Sequence, residues 1–112
     1  PHLFDLPEQQ IGLRTPWLAY PILLKKSSNI KRQKLQIFLE RNGIQTRTIF
    51  TGNILRQPIM KKRKYKKVKN AEVNSNKVMS SGILIGCHHG LTIKDLNYIK
   101  KNFEKFLRKN PR

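Results

Sequence analysis

The end of the chain carries the pattern that most limits how it can fold. Leu96, Ile99, Phe103, Phe106 and Leu107 recur at the spacing of one helical face, with lysines filling the opposite side. Such a helix must lay its apolar stripe on something apolar. Thr92, with Asp95 three residues on, marks its start in the manner of a capping box. A second helix of the same kind is predicted from Ile30 to Asn42, where Leu35, Phe38 and Leu39 share a face. Ser27-Ser28-Asn29 offers oxygens to cap its start, and Gly43 supplies a left-handed stop.

The surface these helices cover should be a sheet. Trp17 to Leu24 is a nearly continuous apolar run, whose length and aromatic content favour a buried strand. Pro21 within it cannot donate to a ladder, so the strand should be at an edge or bulged there. Ile44 to Phe50 alternates with β-branched residues and reads as a second strand, broken by Thr51-Gly52-Asn53. Ile83-Leu84-Ile85, within Ser81 to Cys87, reads as a third, and a short helix is expected around Ala71–Ser80. Residues 1–16 read as an irregular lead-in punctuated by Pro7, Gly12 and Pro16. Residues 54–60 read as a loop or short turn, because the residue before Pro58 resists helix. The expected fold is α+β: a small antiparallel or mixed sheet covered on one face by helices.

Length and composition set the bounds. The 112 residues allow one core, and no apolar run approaches the roughly 18 residues a spanning helix needs. The single Cys87 excludes an internal disulfide, and a cysteine-only metal site needs about four such ligands. Twenty-four Lys and Arg face six Asp and Glu, a net charge of +18 that attracts anions. Seven of these charges fall in the nine residues 61–69, a block that cannot pack and is expected as a solvated loop. On charge alone this run, with Tyr65 to stack on a base, would suggest a nucleic-acid-binding domain. No aromatic surface motif or glycine loop of a small RNA-binding domain accompanies it. The chain opens on Pro1 without a signal peptide, so a cytoplasmic fragment lacking its upstream part is expected.

The stretch Gly43-Ile-Gln-Thr-Arg-Thr-Ile-Phe-Thr-Gly-Asn-Ile-Leu-Arg-Gln-Pro58, after a helix ending Phe38-Leu39-Glu40, resembles the C-terminal small domain of the DegT/DnrJ/EryC1/StrS sugar aminotransferase family. Trp17 to Ile22 resembles that family's Trp–Pro strand, and Ile85-Gly86, Gly90-Leu91-Thr92 and the last helix resemble its closing segment. The Phe50–Pro58 version is similar to the nucleotide-hexulose 3-dehydratases, which act on a CDP-activated 4-keto-6-deoxy sugar in the synthesis of lipopolysaccharide dideoxysugars. Aminating members usually carry a Tyr-Pro-rich segment there. Two departures stand out: His88-His89 replaces an aromatic residue and proline, and the basic run is heavier than the family's.

The resemblance implies a vitamin B6-dependent enzyme of the aspartate aminotransferase fold, with residues 1–16 leading in from a large domain and 17–110 forming the small one. Pyridoxal or pyridoxamine phosphate would be bound mainly by the large domain. So would the cofactor-facing Lys or His and the cysteines of any iron–sulfur cluster. No catalytic residue is expected in this chain, and alone it should be inactive. It would contribute groups that position a nucleotide-sugar substrate and close the cleft, in a protein acting as a homodimer. The same resemblance weighs against nucleic acid as partner.

Asn53, Arg56 and Gln57 are the best candidates for that positioning, with Gly52 letting backbone approach a ligand. By residue type alone a turn followed by solvated loop is the favoured reading, and the resemblance brings the two readings level. Arg47 could meet an anion in the cleft, form an ion pair, or point to solvent from an alternating strand. His88 could line the cleft. His88 and His89 point to opposite faces of an extended segment, which disfavours a shared metal, and none is expected.

Overall fold

The computed structural model describes residues 3–110 of the chain. Four strands form one antiparallel sheet: β1 (Phe4–Asp5), β2 (Ala19–Leu24), β3 (Thr46–Thr48) and β4 (Gly82–Gly86), in the order β1-β2-β4-β3. The last strand in sequence therefore lies between two earlier ones. Its register runs Ala19↔Gly86 to Leu23↔Gly82 on one side, and Thr46↔Ile85 to Thr48↔Ile83 on the other. Helices α1 (Arg32–Arg41), α2 (Val73–Ser81) and α3 (Ile93–Arg108) complete the domain.

The core forms where the helical stripes meet one face of the sheet. Ile22, Leu24, Ile83 and Ile85 supply the sheet side, and Leu35, Leu39 and Phe106 the helix side. Leu35, Leu39 and Ile83 are completely shielded from solvent. Phe38 packs on Phe106 with ring centres 5.2 Å apart, and Phe4 meets Phe103 edge-on at 5.7 Å. The α1–β3 connection is fastened by Glu40, whose Oε1 accepts from both the backbone N–H and the hydroxyl of Thr46. The Tyr98 hydroxyl donates to the Asn42 carbonyl at 3.0 Å, tying α3 to the end of α1.

Several details differ from the expectations. Residues 1 and 2 of the lead-in lie outside the described residues, and residues 6–18 are indeed irregular. Phe4 and Asp5, however, join the sheet opposite Leu24 and Leu23, because Phe4 gains an apolar seat against Phe103. β1 stops short of Pro21, so the flank of β2 facing away from β4 is an edge there, which accommodates the missing donor. Ser27 to Asn29 does not cap α1. Residues Lys26–Ser28 form a 3-10 turn in which the Ser28 hydroxyl donates to Lys25, and α1 begins after Lys31 without a side-chain cap. The second strand shrinks to Thr46–Thr48, and Phe50 beyond it adopts φ 44°. On α3, Leu96 of the expected stripe is 49% exposed, whereas Asn102 is buried and donates to the Tyr98 carbonyl at 3.0 Å.

The capping box of α3 is complete: the Thr92 hydroxyl accepts from the Asp95 N–H, and the Asp95 carboxylate accepts from the Thr92 N–H and hydroxyl. The hydroxyl and backbone hydrogen bonds from Thr92 hold the Asp95 carboxyl below its ordinary value of 3.8, with His88 adding a smaller attraction. A carboxylate lowered in the folded state contributes stability above its unfolded value, and loses it as pH falls through the folded one. Thr92→Ala should therefore return the Asp95 carboxyl toward 3.8 in an NMR titration. Losing the cap should also lower stability by about 1 kcal/mol in urea unfolding.

Candidate functional site

The segment that carries the family motif folds around α2. Three consecutive turns compress it: a turn at 50–52, a 3-10 turn at Ile54–Arg56 and another at Pro58–Lys62. Asn53 caps the first 3-10 turn, its Oδ1 accepting from the Leu55 N–H at 3.0 Å. It is only 2% exposed, so its amide hydrogens need a partner as well. Asn76 of α2 provides it: Asn53 Nδ2 donates to Asn76 Oδ1 at 2.9 Å. The same oxygen accepts from Arg56 Nε at 3.1 Å. One amide oxygen thus joins the loop interior to the guanidinium at its surface. Gln57 Nε2 reaches back to the Thr51 carbonyl at 3.4 Å, closing the loop on itself.

Gly52 permits the close approach. Its φ is 69°, and a Cβ there would lie 2.5 Å from Met79 Cα, so the loop can seat on α2 only with glycine. From the other side Arg32 Nη1 donates to the Met79 carbonyl at 2.6 Å, satisfying the C-terminal end of α2.

Beside this loop lies a cleft of about 820 Å³ bounded by Asp5, Lys25, Lys26, Arg56, Val73, Asn76, Lys77, Met79 and Ser80. Asp5 pairs with Leu23 across the sheet, and so lies on the face away from Phe4 and α3. There it binds Lys77 of α2 and, at 3.5 Å, Lys25. The Lys77 hydrogen bond, more than Lys25, holds its carboxyl below the ordinary 3.8.

Gly52, Asn53, Arg56 and Gln57 are thus brought together, whereas the other two candidates stand apart. Arg47 is exposed on β3 opposite Leu84, on the same face of the sheet as Asp5, but it does not line this cleft and has no side-chain partner among the described residues. His88 follows the far end of β4. At about 3.4 Å per residue, Gly86 lies roughly 14 Å from Gly82, the end that faces α2 and Ile49. His88 is exposed, and its Nδ1 accepts from the Gly90 N–H at 3.2 Å, the arrangement of a local turn. The residues missed from sequence are Asn76 and the trio Asp5, Lys25 and Lys77. A lone Asn in a weakly amphipathic helix gives no periodic signal, and the trio is dispersed over 72 positions. The run 63–68 lacks regular structure, and residues 61–70 are exposed throughout. Among the described residues no cluster of His, Cys, Asp and Glu could hold a metal, and no helix is long and apolar enough to cross a membrane.

The DegT/DnrJ/EryC1/StrS aminotransferase family matches residues 3–104, and the chain belongs to that family. It is 36% identical over 102 residues to the lipopolysaccharide biosynthesis protein RfbH of Salmonella typhimurium, covering 91% of this chain and 23% of that protein. It is 28% identical to the dTDP-4-dehydro-2,6-dideoxy-D-glucose 3-dehydratase of Saccharopolyspora spinosa, over 96% of this chain and 24% of the relative. The crystallised E. coli GDP-4-keto-6-deoxy-D-mannose-3-dehydratase with bound hydrated PLP superposes with a TM-score of 0.75 at 26% identity, over 89% of this chain and 25% of that one. The small antiparallel sheet with its helices is therefore the fold found in aminotransferase-like PLP enzymes. The chain spans about a quarter of the length of the curated relatives it matches.

A pyridoxal phosphate needs a carboxylate or similar partner for its ring nitrogen and a lysine or other group at its reactive carbon. In the cleft the one carboxylate, Asp5, is occupied by two lysines. The described residues do not fit the whole cofactor, and no step of its chemistry is assigned to them.

Two substitutions test the loop. Gly52→Ala should destabilise the protein by about 1–3 kcal/mol through the left-handed backbone and overlap with Met79. Asn76→Ala should cost about 1–3 kcal/mol by leaving the buried Asn53 amide unpaired. Urea unfolding checks both, and a neutral Gly52→Ala would contradict the seating on α2.

Proposed function

We propose that this chain is the small domain, at the C-terminal end, of a nucleotide-sugar 3-dehydratase that removes the C3 hydroxyl of a 4-keto-6-deoxyhexose. Residues 17–110 make up this domain, with residues 1–16 leading in and lending β1 to its sheet. The observation that carries the reading is the 36% identity to the lipopolysaccharide biosynthesis protein RfbH over nearly the whole chain. Two further relatives are named as 3-dehydratases, one acting on a dTDP-sugar and one on a GDP-sugar. A CDP-sugar remains the substrate favoured by the Phe50–Pro58 sequence. The other reading within the family, an aminotransferase, rests on the family's description.

On this proposal the whole enzyme is a cytoplasmic homodimer that uses pyridoxal or pyridoxamine phosphate as electron sink, and the chain alone is inactive. Its residues bind and orient. Asn53 shapes the loop from within, Gly52 lets it seat on α2, and Arg56 presents a guanidinium fixed through Nε. Gln57 holds the loop closed. A planar guanidinium suits sugar or phosphate oxygens, and holding it in place removes entropy that binding would otherwise lose.

The full-length gene product, supplied with pyridoxamine phosphate, any required reductant and CDP-, dTDP- or GDP-activated 4-keto-6-deoxyhexoses, distinguishes the readings by mass spectrometry. A product lacking the C3 oxygen is expected. A product carrying nitrogen at C4 with O3 intact would replace the dehydratase with an aminotransferase.

A further inference from the structure

We propose that the basic segment between the Pro58–Lys62 turn and α2 docks the protein on an anionic phospholipid surface. The proposal is independent of the nucleotide-sugar reading above. Seven of the nine residues 61–69 are Lys or Arg, and all nine are exposed. Only Lys67 among these cations has a carboxylate partner among the described residues, Glu72 at 3.0 Å. The segment is held at one end by the 3-10 turn and at the other by α2, and has no regular structure from 63 to 68. Like charges tethered so closely repel one another, and a negative surface laid against them relieves that repulsion. A cluster of about four to eight Lys and Arg is the size that anionic headgroups attract.

Charge alone would serve any polyanion, and the apolar side chains beside the cations select lipid. Ile59 is 62% exposed and Val68 77%, and Tyr65 is exposed between them. Single exposed apolar residues are ordinary, but these three flank and interrupt the basic run. The headgroup–acyl boundary accepts aliphatic chains, and suits a tyrosine with its apolar ring and wet hydroxyl. Grooves that hold single-stranded nucleic acid instead combine cations with several aromatic platforms, and the run carries one aromatic residue. Six of its seven cations are Lys, a hydrated point charge suited to the diffuse field of headgroups; the planar fork that grips single phosphates is left to Arg63. Stable attachment to a membrane takes two signals, and basic charge with apolar contact supplies both. The contact is peripheral, since no helix among the described residues is long and apolar enough to cross a membrane.

The test is co-sedimentation of the full-length protein with vesicles of phosphatidylcholine alone, or of phosphatidylcholine mixed with phosphatidylglycerol. Binding to the mixed vesicles is expected, and should fall as salt screens the charges. Lys61→Gln, Lys64→Gln and Lys66→Gln together should lower partitioning on the order of a hundredfold, from roughly fivefold per lysine. Ile59→Asn with Val68→Asn keeps the charge and should lower it about tenfold. All five side chains are exposed, so the thermal midpoints of both variants should match that of the parent. Lys100→Gln, Lys101→Gln and Lys105→Gln together remove the same charge from the exposed face of α3, and should change partitioning by less than about twofold. No binding to the mixed vesicles, equal binding to phosphatidylcholine alone, or an equal loss in the α3 variant would overturn the proposal. Tighter binding of a single-stranded oligonucleotide, with vesicle binding indifferent to Ile59 and Val68, would overturn it in favour of nucleic acid. The C3-deoxygenation assay contains no lipid, so its outcome and this one are separable.

Discussion

The insertion of β4 between β2 and β3 is the constraint on which the remainder of this domain depends. Both flanks of β4 are paired, and Ile83 within it is fully shielded. β2 and β3 are joined through α1 and leave a one-strand gap that only the later segment fills. The sheet cannot close until the chain has travelled past the basic run and α2, so the core rests on contacts distant in sequence. α1 and α3 then seal one face, and their stripes meet through Phe38 and Phe106.

That order also builds the cleft. α2 runs directly into β4 at Ser81–Gly82, so placing β4 places α2. With α2 fixed, Met79 and Asn76 stand where the 50–57 loop must settle, and the loop's glycine and two polar side chains fit them. Lys77 on the same helix reaches Asp5 of β1, drawing the lead-in onto the second face of the sheet. The site is a consequence of the topology: its residues belong to elements that touch only after the central strand is in place.

Legibility in the sequence followed the range of the interaction. α3 with its capping box, α1 with its Gly43 stop, and the apolar centre of β4 were readable because helical period, cap and alternation are local properties. The start of α1 was misread, since Ser28 turns its hydroxyl back to Lys25 instead of forward to the helix. β1 was missed because two residues carry no periodicity and gain their strand only from Leu23, Leu24 and Phe103. Within the motif, Gly52, Asn53, Arg56 and Gln57 are singled out by the resemblance, and the structure shows the local contacts each makes in the loop and with α2. Asn76 was invisible, because its significance lies in two partners 20 and 23 residues away.

The acidic residues explain how so positive a chain remains organised. Of the six carboxylates, Asp5 gathers Lys25 and Lys77, Glu40 binds Thr46, Glu72 meets Lys67 at 3.0 Å, and Asp95 caps α3. Four of six are thus committed to joints of the fold, where a short hydrogen bond acts locally whatever the net charge. They are not distributed to neutralise the surface. The field of the remaining cations extends over about a Debye length, ~8 Å at physiological salt. A chain that uses its scarce acids for architecture leaves most of its cations without a carboxylate partner, and in the cleft beside Arg56 the fold brings four of them around Asp5.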